Sequence, residues 1–155
     1  MNPRLVTLFE SYADFHRHPI NQLTHKIAIP LIVFHIIAML GWIRLLPLAA
    51  IPGGYLTAAH LAYFLAIGWY FTMDAKLAVV MAFLFALCFP IAQWTSTATV
   101  IWIAVLGWVI QLAGHVVWEK RAPAFLTNIF QTLIGPLFFV AVLTGRWKTP
   151  SVTKT

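Results

Sequence analysis

Gln111, His115 and Glu119 stand four residues apart in "QLAGHVVWEKRAP" (111–123), so an α-helix stacks an amide, an imidazole and a carboxylate on one face. All three lie where a long apolar run gives way to polar sequence. The start of the chain offers partners: Asn21 and His25 repeat the spacing, and His16 and His18 come just before them. Metal binding needs several neutral imidazoles or carboxylates aimed at one point, and borderline ions such as iron or zinc favour imidazole nitrogen. The residue types therefore point to a metal site, on condition that the fold joins segments nearly a hundred positions apart.

That condition depends on the elements that carry them. The 155 residues are 61% hydrophobic and 9% charged, far more apolar than a soluble domain. Between Lys76 and Glu119 lie 42 residues without Asp, Glu, Lys or Arg. A bilayer core of ~30 Å takes about 20 apolar residues per helix, so the chain is expected to be one all-α integral membrane domain over 1–155. Four spans are predicted, at about 26–44, 55–73, 77–94 and 100–118. Pro30 should bend the first. A last apolar piece, 129–144, is short and interrupted by Gly135-Pro136, which suits a re-entrant or interfacial helix. Residues 3–17 read as an amphipathic interfacial helix, with Asn2 as N-cap and Leu5, Val6, Phe9, Tyr12, Ala13 and His16 on its apolar face. Pro19 ends it.

The N-terminus lacks the pattern of a signal peptide and is expected to stay in place. Cys88, alone in an apolar run, can form no internal disulfide and reads as packing. The formal charge of +6 is spread over span ends, which suits lipid headgroups and helix orientation and excludes nucleic acid as a partner. With four spans, Arg4, Arg17, Lys26, Lys76, Lys120 and Arg121 share one side against Arg44 on the other. If the last piece does not cross, Arg146, Lys148 and Lys154 join them, nine against one, and the N-terminus is cytoplasmic. The same count brings His16, His18 and His25 to the membrane face that holds His115 and Glu119.

Each residue also has a plainer use. Interfacial histidines bond carbonyls or lipid phosphates, and Gln111 or Asn128 can simply join helices. His18, between Arg17 and Pro19, reads as solvated, and His35 and His60 inside spans one and two read as packing. Glu119, Lys120 and Arg121 form either an interfacial salt-bridge cluster or, functionally, a ligand or base beside two cations that capture a carboxylate or phosphate. Trp69, Tyr70, Trp94, Trp108 and Trp118 read as belt and core. No Gly-rich phosphate loop, nucleophile elbow or zinc-protease motif occurs.

Two blocks, "YADFHRHPINQLTHKIAIP" and "QLAGHVVWEKRAPAFLTNIFQTLIGPLFF", resemble the family of membrane 2-hydroxy fatty acid dioxygenases, known from fungal phytosphingosine breakdown in the endoplasmic reticulum and widespread in bacteria. The family's first pattern is matched by Tyr12, His16, Pro19, Asn21 and His25. The second is matched by Gln111, Gly114, His115, Glu119, Lys120, Arg121, Pro123, Gln131 and Pro136. The resemblance implies Fe(2+)-dependent α-oxidation, in which a long-chain 2-hydroxy fatty acid and O2 give an acid one carbon shorter. It implies His16, His25 and His115 as metal ligands with Glu119 as a fourth candidate. Tyr12, Asn21 and Gln111 then orient ligands or substrate, and Lys120 or Arg121 holds the carboxylate. The acyl chain lies among the spans, in the inner membrane of a prokaryote or the endoplasmic reticulum of a eukaryote. Two readings of other classes stand beside it: a haem-binding electron carrier using His35 and His60, and a non-catalytic scaffold or small transporter.

Overall fold

The computed structural model describes residues 1–48, 54–123, 125 and 130–147. Asn128, Lys148 and Lys154, named above as a helix-joining amide and as orienting charges, lie outside the described residues. Helix α1 (Pro3–Asp14) starts as its sequence dictates, with the Asn2 side chain accepting the Arg4 N–H at 2.9 Å and Pro3 at the first helical position. Its apolar face is covered by protein. Phe9 meets Phe138 and Trp147 edge-on, each at 5.3 Å between ring centres.

Helix α2 (Pro19–Gly41) begins seven residues before the expected start at Lys26. Proline's fixed φ ends one helix and suits the first turn of the next, and the His18 ring caps that turn by accepting the Ile20 N–H at 3.2 Å. The break shrinks to residues 15–18, and Asn21 and His25 sit on regular helix. Strands β1 (Arg44–Pro47) and β2 (Tyr55–Thr57) then pair antiparallel, a small ribbon where only a turn and the start of a span were expected. The Arg44 guanidinium lies 4.6 Å from the Tyr55 ring centre. Helices α3 (Ala58–Met73), α4 (Ala75–Trp94) and α5 (Thr97–Ala113) follow, α5 continuing through a π-helical turn at Gly114–Glu119, and α6 covers Phe130–Leu143.

Among the described residues three helices are long and apolar enough to cross a membrane: Pro19–Gly41, Ala75–Trp94 and Thr97–Glu119. Because β2 takes residues from its start, α3 has 16 residues and rises about 24 Å, short of a ~30 Å core. Of the four expected spans, three thus reach that length and α3 is the short one. Large apolar side chains face outward, Trp94 at 90% and Trp102 at 72% exposure, as a surface solvated by lipid requires. Helix α2 is the centre of the bundle, packed on α3, α4, α5 and α6. Its tightest neighbour is α5, because a Cβ on Gly107 would stand 3.2 Å from the Leu31 Cβ and 3.3 Å from Ile32. Tyr70 donates its hydroxyl to the Leu133 carbonyl at 2.8 Å, tying α3 to α6. Asp74 caps α4 through the Leu77 N–H and holds Arg146 at 2.6 Å. Burial alone pushes the Asp74 carboxyl up, but these donors outweigh it and hold it below the usual range.

Candidate metal centre

His16, His25 and His115 come from three segments, and each is at most 5% exposed. His16 follows the end of α1. Its Nδ1–H donates to the Tyr12 carbonyl at 2.6 Å, and its ring stacks on the Tyr12 ring at 4.0 Å. His25 makes the same bond on α2, with Nδ1–H donating to the Asn21 carbonyl at 2.8 Å. A carbonyl only accepts, so in both residues the proton is on Nδ1 and the lone pair on Nε2. This is the arrangement by which metal-binding histidines are commonly held.

The third imidazole is brought in by the π-helical turn. Gly114 opens that turn, and a Cβ there would run into Thr24 Oγ1 and Asn21 Oδ1, so only glycine lets α5 lie this close to α2 beside the histidines. The three ring centres are 4.4, 4.9 and 4.7 Å apart with planes near perpendicular. One ligand nitrogen from each lies within 4.8 Å of the others. His16 Nε2 and His115 Nδ1 have no hydrogen-bond partner, and His25 Nε2 is approached by both His115 Nε2, at 3.0 Å, and the Gln111 amide nitrogen, at 2.6 Å. Buried polar atoms are ordinarily paired, so three close imidazoles, two of them with an orphaned nitrogen, fit a cation. Burial, with the neighbouring His115 adding to it, pushes His16 down to about 4 against the opposing bond to Tyr12, so this imidazole is neutral at neutral pH, as a ligand must be.

The polar residues around the triad take defined positions. Glu119 ends the π-helical turn and reaches the start of α2. Its oxygens accept the Arg17 and His18 backbone N–H groups at 2.9 and 3.0 Å and the Asn21 side-chain amide at 2.9 Å. It closes the N-terminus of α2, where a carboxylate also complements the helix dipole. Lys120 ends the turn at a φ of 51°, in the left-handed region, and is exposed. Arg121 lies 3.4 Å from Asp14 and over the Phe15 ring at 4.2 Å, a joint between the two sequence blocks. Asp14 also pairs with Arg17, whose hydrogen bond holds its carboxyl below the usual range.

His35 and His60 do not join the cluster. His35 donates Nδ1–H to Leu31 at 3.1 Å and faces Trp108. His60 accepts the Thr57 N–H at 3.1 Å in a capping box and packs on Phe89. His18 is the cap of α2 rather than simply solvated.

A cavity of about 200 Å³ opens from the triad, walled by His16, Gln111 and His115 at one end. It continues along Ile29, Ile32, Val33, Ile36, Ile37 and Leu40 of α2. Those eleven steps of helix span about 16 Å. Tyr70 and Trp108, read from sequence as belt and core, line it too, as does Gln131. The i, i+3, i+4, i+7 run of branched residues on α2 was the sequence signal for that wall. A second cavity of about 70 Å³ lies on the other side of His16 and His25, with Gln22, Lys26, Phe138 and Phe139.

A family model described as 2-hydroxy-palmitic acid dioxygenase Mpo1-like matches residues 4–147. The 2-hydroxy-palmitic acid dioxygenase MPO1 of Saccharomyces cerevisiae is 28% identical over 133 residues, covering 83% of this chain and 72% of the yeast protein. No solved structure matches the chain.

Proposed function

The chain belongs to the Mpo1-like family, and on that premise we propose that it is an iron(II)-dependent membrane dioxygenase that shortens long-chain 2-hydroxy fatty acids by one carbon. The observation that carries the reading is a buried trio of histidines, with ligand nitrogens within 4.8 Å of one another and two nitrogens unpartnered, beside an apolar cavity. The overall conversion balances when the 2-hydroxy acid and one O2 give the shorter acid, carbon dioxide and water.

His16, His25 and His115 would hold the iron, which would offer open positions and relay electrons from the 2-hydroxy acid to O2. The chain's own residues do the rest. The Tyr12 and Asn21 carbonyls fix two imidazoles in the tautomer that leaves Nε2 free. Glu119 acts through Asn21: it holds the side chain of the residue whose carbonyl orients His25, so it is a positioning residue. Gln111 covers the His25 lone pair and must yield it when a cation binds, which leaves its amide beside the substrate's polar end. The apolar walls exclude water and receive the acyl chain. Enclosed ligand sites commonly measure ~300–1,000 Å³, so a cavity of about 200 Å³ takes part of a long chain and leaves the remainder among lipid tails.

In this reading α3 crosses with the three longer helices, the α1 end and the triad face the cytoplasm, and α6 stays on that side. The membrane is the inner one in a prokaryote and the endoplasmic reticulum in a eukaryote. The local partners of His35 and His60 favour packing over a haem pair. The test is metal analysis of detergent-purified protein, followed by oxygen uptake and product analysis with 2-hydroxyhexadecanoate. About one iron per chain and pentadecanoate as product are expected. No metal after anaerobic iron(II) loading, or no consumption of the acid by loaded protein, would overturn the proposal and leave the scaffold reading ahead.

A further inference from the structure

The two cavities share Tyr12, His16, Ile29 and Gly135, so the triad stands between an apolar chamber and a smaller mouth. Gln22, His25, Lys26 and Ile29 line that mouth at i, i+3, i+4 and i+7, one face of α2. Among the residues lining the two cavities Lys26 is the one Lys or Arg. Its charge is uncompensated. Of the chain's four acidic residues, Asp14 pairs with Arg17 and Arg121, Asp74 with Arg146, Glu119 is taken up by the α2 N-terminus, and Glu10 is exposed; among the described residues Lys26 belongs to no ion pair. Gln22 is occupied too, donating its amide to the His16 carbonyl at 2.8 Å, so it shapes the mouth and leaves Lys26 as the group that can meet an anion. Lys120 lines neither cavity, and Arg121 is held by Asp14.

We propose that Lys26 is the anchor for the carboxylate of the fatty acid, holding the head at the mouth while the chain runs past the triad into the apolar chamber. The assignment rests on the dioxygenase reading and replaces Lys120 and Arg121 as the expected carboxylate partners. It sets the register of the substrate: a fixed head at α2 determines which carbon lies beside the histidines. A lone cation on a flexible stem suits a carboxylate that enters from the bilayer surface.

The experiment measures binding apart from turnover. Purified wild type, Lys26→Met and Lys26→Arg are titrated in neutral detergent with hexadecanoate and, as an uncharged probe, hexadecan-1-ol, by calorimetry. Helical content and elution volume check the fold. Lys26→Met is expected to weaken hexadecanoate about tenfold, the scale of one charge-assisted bond, with the alcohol unchanged and Lys26→Arg restoring most of the loss. In turnover, kcat/KM for 2-hydroxyhexadecanoate should fall by at least a similar factor. Equal hexadecanoate affinity in wild type and Lys26→Met overturns the anchor while leaving the dioxygenase reading intact. If wild type binds neither probe, the acyl-chain reading of the cavity falls with it. A loss in Lys26→Met confined to vesicles containing anionic phospholipid assigns the lysine to lipid phosphate and also overturns the proposal.

Discussion

Two sets of histidines in this molecule have different neighbours. His35 and His60 have local partners, a carbonyl one turn back and a capping threonine, with an aromatic ring beside each. His16, His25 and His115 are turned toward one another, with Nε2 of His16 and Nδ1 of His115 left without any partner. His35 is held by a carbonyl one turn back just as His16 and His25 are, so what separates the sets is the company of the ring: three imidazoles meet in the trio, whereas His35 and His60 each face an aromatic ring.

The contrast breaks most directly by deletion. His16→Ala, His25→Ala or His115→Ala should weaken metal binding by more than about a hundredfold, beyond the ~10–100-fold that outer partners of a ligand contribute, while His35→Ala and His60→Ala retain the metal. Metal content after gel filtration reads this, and equal retention in both sets would remove the distinction. Glu119→Gln comes next. It keeps the shape but weakens the hold on Asn21, so metal affinity should fall by about 10–100-fold without the metal being lost at saturation, as chelator competition would report.

A smaller effect concerns the backbone approach that admits His115. Gly114→Ala should destabilise by about 1–3 kcal/mol through overpacking against Thr24 and Asn21, whereas Gly68→Ala, with nothing within 4 Å of the added carbon, should be neutral or slightly stabilising. Thermal midpoints in one detergent compare them. The smallest effect is one of pH. His16 is pushed down to about 4, whereas an unfolded histidine titrates near 6.5. Between these values the unfolded chain binds a proton that the folded one refuses, so stability rises with pH across that window. Metal-free protein should lose stability as pH falls from about 6.5 toward about 4. His16→Gln should lack that part of the slope in denaturation curves taken at successive pH values.

The sequence disclosed the site more fully than the bundle. His16, His25 and His115 were legible because charge counting placed their segments on one membrane face, and the structure joins them. Glu119 was read as a ligand candidate or base, and its oxygens meet the start of α2, partners that spacing within one helix does not reveal. Lys26 was read as an orienting charge, since nothing in its neighbours reveals that the mouth of a cavity forms there. The early start of α2 and the ribbon before α3 were missed because proline marks both an end and a beginning, and because short strand pairing depends on a distant partner.

By itself the sequence determined the apolar helices, the cap at Asn2 and the residue types available for a metal, because these follow from hydropathy, spacing and local hydrogen bonding. Only the tertiary structure decided which nitrogens stay unpaired, where the carboxylate of Glu119 goes and which lysine faces the cavity. Those outcomes depend on how closely α2 and α5 approach, which is set by side chains from both helices at once.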